Sequence, residues 1–117
     1  MVLNFSDSTD LLANAEKNEL YNKLVAQVIK DFGLANIHID VTPDILPNQL
    51  KAVLKEKIYR LIMERFSEYL NLLYIIDVPE KAFKEITVTD VVEVADQVTF
   101  LVLKRELQKV WLKAKYS

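Results

Sequence analysis

The chain has 117 residues, 51% of them apolar and 27% charged, with a formal net charge of −2, one glycine and no cysteine. That size and apolar content suit a single domain, residues 1–117, with one real core, and argue against disorder. Without cysteine there are no disulfides, thiolate metal sites or cysteine nucleophile, and the near-balanced charge supplies no global basic field for nucleic acid or anionic lipid.

The opening stretch, Met1 to Asp10, has no basic residue ahead of a short apolar core and does not read as a secretory signal. No window approaches the roughly 18–20 apolar residues that a membrane helix needs. The expected compartment is the cytoplasm.

Glycine and proline are sparse, so the long intervals between them read as helices. The first runs from about Thr9 to Phe32. Ser8 or Thr9 can cap it, and Asp10 suits the positive end of the helix dipole. Tyr21, Leu24, Val25, Val28, Ile29 and Phe32 share a face. Asn14 and Asn18 fall on that same sector, which points to a break or a partly exposed N-terminal half. Gly33 is expected to close the helix in a left-handed conformation, with Leu34 as the hydrophobic contact.

An extended connector is expected over 34–42. Ile37, Ile39 and Val41 alternate with Asn36, His38 and Asp40, as in a strand, but the only candidate partner is Val2 to Phe5. His38 is the one histidine. Near Asp40 it can form an imidazole–carboxylate pair, yet nothing else in the sequence builds an active site around it.

Thr42 and Pro43 suggest a single turn, and Pro47 starts the second long helix, about 47–76. Its apolar face is expected to hold Leu50, Leu54, Ile58, Leu61, Ile62, Phe66, Leu70, Leu73 and Ile76. The opposite stripe, Glu56, Lys57, Arg60, Glu64, Glu68 and Asn71, reads as solvated. Its last turns, Tyr69 to Ile76, are apolar on nearly all sides, so Tyr69, Leu72 and Tyr74 are left over for a partner.

Asp77 and Glu80 resemble a capping box ahead of a short helical turn at 79–85. Thr87 or Thr89 then introduces the third long helix, about 88–115. Phe100, Leu103, Leu107, Val110, Trp111 and Ala114 form its later apolar face, and Val91, Val94, Val98 and Leu101 its earlier one. The whole reads as an all-α, elongated three-helix antiparallel bundle.

Phosphate loops are excluded for want of glycine, and the helices carry no Glu-x-x-His pair for a di-iron centre. Asp90, Glu93 and Asp96 share a helix face but read as solvated acids. No catalytic, metal-binding or cofactor-binding residue is assigned, no cofactor or small ligand is inferred, and the chain is not expected to be an enzyme. Elimination leaves a helical interaction protein that pairs with itself or with another protein. Tyr69, Leu72, Tyr74, Leu101 and Trp111 are the interface candidates. The alternative is nucleic-acid or anionic-surface binding through Lys104, Arg105, Lys109, Lys113 and Lys115, a basic run beside Trp111 and Tyr116. It is the less favoured reading, because cations near a helix C-terminus are favoured by the dipole alone.

Overall fold

Asp7, one residue ahead of the expected caps, starts the first helix. Its carboxylate accepts the Asp10 N–H at 2.8 Å, and Asp10 Oδ2 accepts the Ser6 N–H at 3.0 Å. The computed structural model describes residues 4–87 and 89–116, and every described element is helical: α1 Ser8–Lys17, α2 Tyr21–Leu34, α3 Pro47–Glu64, α4 Phe66–Ile76, α5 Glu80–Lys84 and α6 Val91–Tyr116. Two of the three long helices expected from the sequence are therefore divided.

The first division falls where Asn14 and Asn18 foretold it. Asn18 Nδ2 donates to the Asn14 carbonyl at 2.7 Å, Glu19 takes φ 58°, and the Leu20 N–H returns to Ala15 O at 2.8 Å. This left-handed residue followed by a buried apolar one is the Schellman ending. It recurs twice. Asn36 (φ 60°) ends α2, with the Ile37 N–H on Phe32 O, and Asp77 (φ 68°) ends α4, with the Val78 N–H on Leu73 O. Leu20, Ile37 and Val78 are all buried. Gly33 is helical and does not close α2, contrary to the sequence reading, because closing at Asn36 brings Ile37 onto the core.

The second division has an electrostatic reason. Leu54, Ile58 and Leu61 form a buried stripe with steps of four and three, and the next step of four is Arg65. A continuous helix would carry a guanidinium into the core. The chain instead leaves the helix there (φ −142°, ψ 61°), and exposed Arg65 pairs with Glu68 at 3.1 Å. Beyond Arg65 the same stripe continues by steps of four, three and four through Tyr69, Leu72 and Ile76, which face in with Leu73, while Phe66 and Leu70, expected in the core, face out.

Asp77 does not cap α5, as the sequence suggested. It lies at the end of α4 and pairs with Arg105 of α6 at 2.8 Å, and Pro79 stands at the start of α5. Asp90, rather than Thr87 or Thr89, caps α6 by accepting the Val92 N–H at 2.9 Å. Val88, the expected first residue of that helix, lies outside the described residues, as do Val2 and Leu3 of the candidate strand partner. The connector after α2 is irregular over 37–42, with Leu34 still in the helix and the Val41 N–H turned back onto Ile39 O at 3.0 Å; Ile37, Ile39 and Val41 pack on the core and Asn36, His38 and Asp40 are exposed.

The core joins all the longer helices: α6 packs on α1, α2, α3 and α4, and α4 also packs on α2 and α3. The Cα extents are 36 × 27 × 25 Å, so the divided helices fold into a globule no longer than α6 itself and not an elongated bundle. Tyr21 Oη donates to Ile45 O at 2.6 Å, fastening α2 to the turn before α3. Burial, with the nearby Glu16 charge, pushes that phenol up to about 12.

Candidate functional site

Two places depart from an ordinary helical core: a buried charge cluster between α2 and α6, and the outward face of α4.

The cluster arises because each facing stripe carries one acid. On α2 the buried residues Leu24 and Val28 lead to Asp31, and on α6 Glu106 lies among buried Leu103, Leu107 and Val110. Lys109 joins them from the next turn of α6. Its Nζ is 2.6 Å from Asp31 Oδ2, 2.7 Å from Glu106 Oε1 and 3.0 Å from the Ile76 carbonyl at the end of α4. Gln27 Nε2 donates to both Asp31 oxygens at 3.1 Å. The Glu106 side chain is 0% exposed, against 22% for Lys109.

Lys109 Nζ donates to Asp31 and Ile76 and also lies 2.7 Å from Glu106 Oε1, but at an angle that leaves both buried Glu106 oxygens without a well-aligned donor. Burial, helped by the hydrogen bond to Asp31, pushes the Glu106 carboxyl up to about 9 from its ordinary 4.5. At neutral pH Glu106 is therefore protonated and can donate to Asp31. Burial also acts to raise Asp31, but its hydrogen bonds from Glu106, Lys109 and Gln27 outweigh that and hold it below the usual range. Burial would lower Lys109, and its bonds to the two acids reverse this, holding it above the usual lysine value. One anion, one cation and one neutral acid leave the cluster without net charge.

The face of α4 is simpler. Only Ser67, Glu68 and Asn71 of its eleven residues are polar. Its inner side is core, and its outer side shows Phe66, Leu70 and Tyr74 at steps of four, 55%, 44% and 81% exposed. Met63, just before the break, is exposed as well.

The residues singled out in the sequence scatter across these settings. Tyr69 and Leu72, expected outside, are core, and burial raises the Tyr69 phenol. Tyr74 is exposed as expected, while Leu101 and Trp111 are half-buried, with Lys115 Nζ 4.8 Å from the Trp111 ring centre. The basic run divides. Arg105 is tied to Asp77 and Gln108, Lys109 belongs to the buried cluster, Lys104 is half-buried, and Lys113 and Lys115 are exposed. Ala114, placed on the apolar face, is exposed, and Glu106 sits in the core instead. His38 and Asp40 pair at 3.1 Å, both almost fully exposed.

Among the described residues no three histidine or acidic side chains converge to hold a metal ion, and no helix is long and apolar enough to cross a membrane. The buried acids Asp31 and Glu106 are not among the residues singled out from the sequence. The available signal was Glu106 at steps of three, one and four within Leu103, Leu107 and Val110. Comparison with protein-family models, with curated proteins and with solved structures finds no match to this chain.

Proposed function

We propose that this protein works by association, pairing with a second copy of itself through the outer face of α4. The observation that supports this is the exposed stripe Phe66–Leu70–Tyr74 on a helix whose other side is already core. A helix apolar nearly all round is ordinarily buried all round. The stripe is also symmetric about Leu70: an antiparallel crossing centred there sets Phe66 of one copy against Tyr74 of the other, as a two-fold interface requires.

Six half-exposed side chains contribute about 5–9 kcal/mol gross when buried, similar to the cost of association of about 4–15 kcal/mol. The dimer is accordingly weak and concentration-dependent. Light scattering across a concentration series tests it: mass should rise toward that of a dimer in the wild type and stay monomeric in Leu70→Glu. A strict monomer at the highest attainable concentration sinks the proposal.

Binding of nucleic acid through the C-terminal helix draws less support, since Arg105 and Lys109 are engaged within the fold.

A further inference from the structure

Lys23, Lys30 and Lys113 surround an open groove of about 360 Å³ between α2 and the last turns of α6. Asp31 meets Lys109, and residues earlier in α2 share the groove with residues later in α6, so the two helices run antiparallel along it. Ala26, Val110 and Ala114 supply apolar lining, and no residue of α4 contributes. Among the described residues none of the three lysines is paired with an acid, whereas Lys109 and Arg105, one and two turns back on α6, each are. In a chain of net charge −2, three uncompensated ammonium groups around one groove are complementary to an anionic partner.

The lining and the spacing decide which anion. Single-stranded nucleic acid binds where bases stack on aromatic side chains, and this groove is lined by none. A small anion needs converging donors, but Lys23 and Lys30 stand two turns apart, about 10 Å along α2. That is the separation of two carboxylates seven residues apart on a docked helix. The small residues between them leave room for one bulky apolar side chain.

We propose that the α2–α6 groove docks an acidic amphipathic helix of a partner protein. Its carboxylates meet Lys23, Lys30 and Lys113, and one apolar anchor sits over Ala26, Val110 and Ala114.

The test is a nuclear magnetic resonance titration of the isotope-labelled full chain. The probe is a synthetic, end-capped helical peptide carrying glutamates two turns apart with a leucine between them. A glutamine-for-glutamate peptide and a single-stranded oligonucleotide serve as comparisons. Amide shifts should centre on Lys23, Ala26, Lys30, Val110 and Lys113, and binding should weaken with salt and with the glutamine peptide. Lys23→Glu with Lys30→Glu should cost about tenfold in affinity. Ala26→Trp keeps every lysine but fills the floor, and should abolish binding with helicity unchanged; full affinity in that variant would reduce the effect to diffuse charge attraction and overturn the proposal. So would shifts that are absent or lie elsewhere, or an oligonucleotide that occupies the groove while the peptide does not. Leu70→Glu should leave peptide binding unaltered, which separates this surface from the self-association face.

Discussion

The Lys109 ammonium stands 2.6 Å from Asp31 Oδ2, across 78 positions of sequence, and the same nitrogen caps the end of α4 through the Ile76 carbonyl at 3.0 Å. One side chain thus joins α2, α4 and α6. Removing it leaves Asp31 buried and charged, with one of its counter-groups gone. Lys109→Met is expected to cost about 3 kcal/mol, at the low end for a broken buried pair because Lys109 is partly exposed. Asp31→Leu with Lys109→Met should recover most of that, since paired replacement by apolar groups removes both desolvation penalties. Urea unfolding of the three proteins measures it, and a double variant no better than the single would show that the pair contributes net stability.

Glu106 sets a pH dependence of opposite sign to that of an ordinary ion-paired acid. Its carboxyl is raised in the folded state, so the native protein binds more protons than the unfolded chain between about pH 4.5 and about 9. Stability should fall as pH rises through that window, by at most about 1.4 kcal/mol per unit. Asp31, held low, contributes stability that is present above its unfolded value and is lost as pH falls through its folded one. The melting temperature should therefore peak at weakly acidic pH. Glu106→Gln keeps the shape and a donor for Asp31 without a titrating proton. It should flatten the fall and raise stability at pH 8; an unchanged profile would mean that Glu106 does not titrate in this window.

What could be read from the sequence follows from which signals act locally. Helical class, the short α5, the inward Ile37, Ile39 and Val41 and the weakness at Asn14 and Asn18 depend on near neighbours, and all are seen. The break at Arg65 was legible in principle, because a charge occupies the next place on the Leu54–Ile58–Leu61 stripe, yet the apolar run that follows hid it. The facing of α4 was legible on the same count, since steps of four, three and four from Arg65 reach Tyr69, Leu72 and Ile76, but with only three polar residues among eleven the outward Phe66 and Leu70 look equally fit for the core. Asp31 and Lys109 lie too far apart in sequence for any spacing rule to pair them.

The two sides of α4 make a contrast between neighbours. Leu70 and Tyr74 are exposed, so Leu70→Glu and Tyr74→Asp should keep native helicity and melting temperature while lowering association. Leu72 is fully buried, so Leu72→Glu should unfold the protein or cost more than about 3 kcal/mol. Circular dichroism with light scattering on the three variants separates the readings. A destabilised Tyr74→Asp beside a tolerated Leu72→Glu would mean that α4 turns Tyr74, not Leu72, toward the core.

The three Schellman endings and the lone glycine allow a test of backbone strain. Glu19 holds φ 58° and forms no ion pair among the described residues, and glycine accepts that conformation without the Cβ penalty, so Glu19→Gly should stabilise by up to about 1 kcal/mol. Asp77 holds φ 68° but also pairs with Arg105, and Asp77→Gly gives up that pair, so its gain should be smaller or absent. Gly33 runs the other way. It lies within α2, and a Cβ there meets no atom within 4 Å, so Gly33→Ala should stabilise by about 0.5–1 kcal/mol through helix propensity and reduced freedom of the unfolded chain. Were Gly33 the left-handed closing residue that the sequence suggests, the same substitution would destabilise by a similar amount. The sign of the change in urea midpoint at this one position decides where α2 ends.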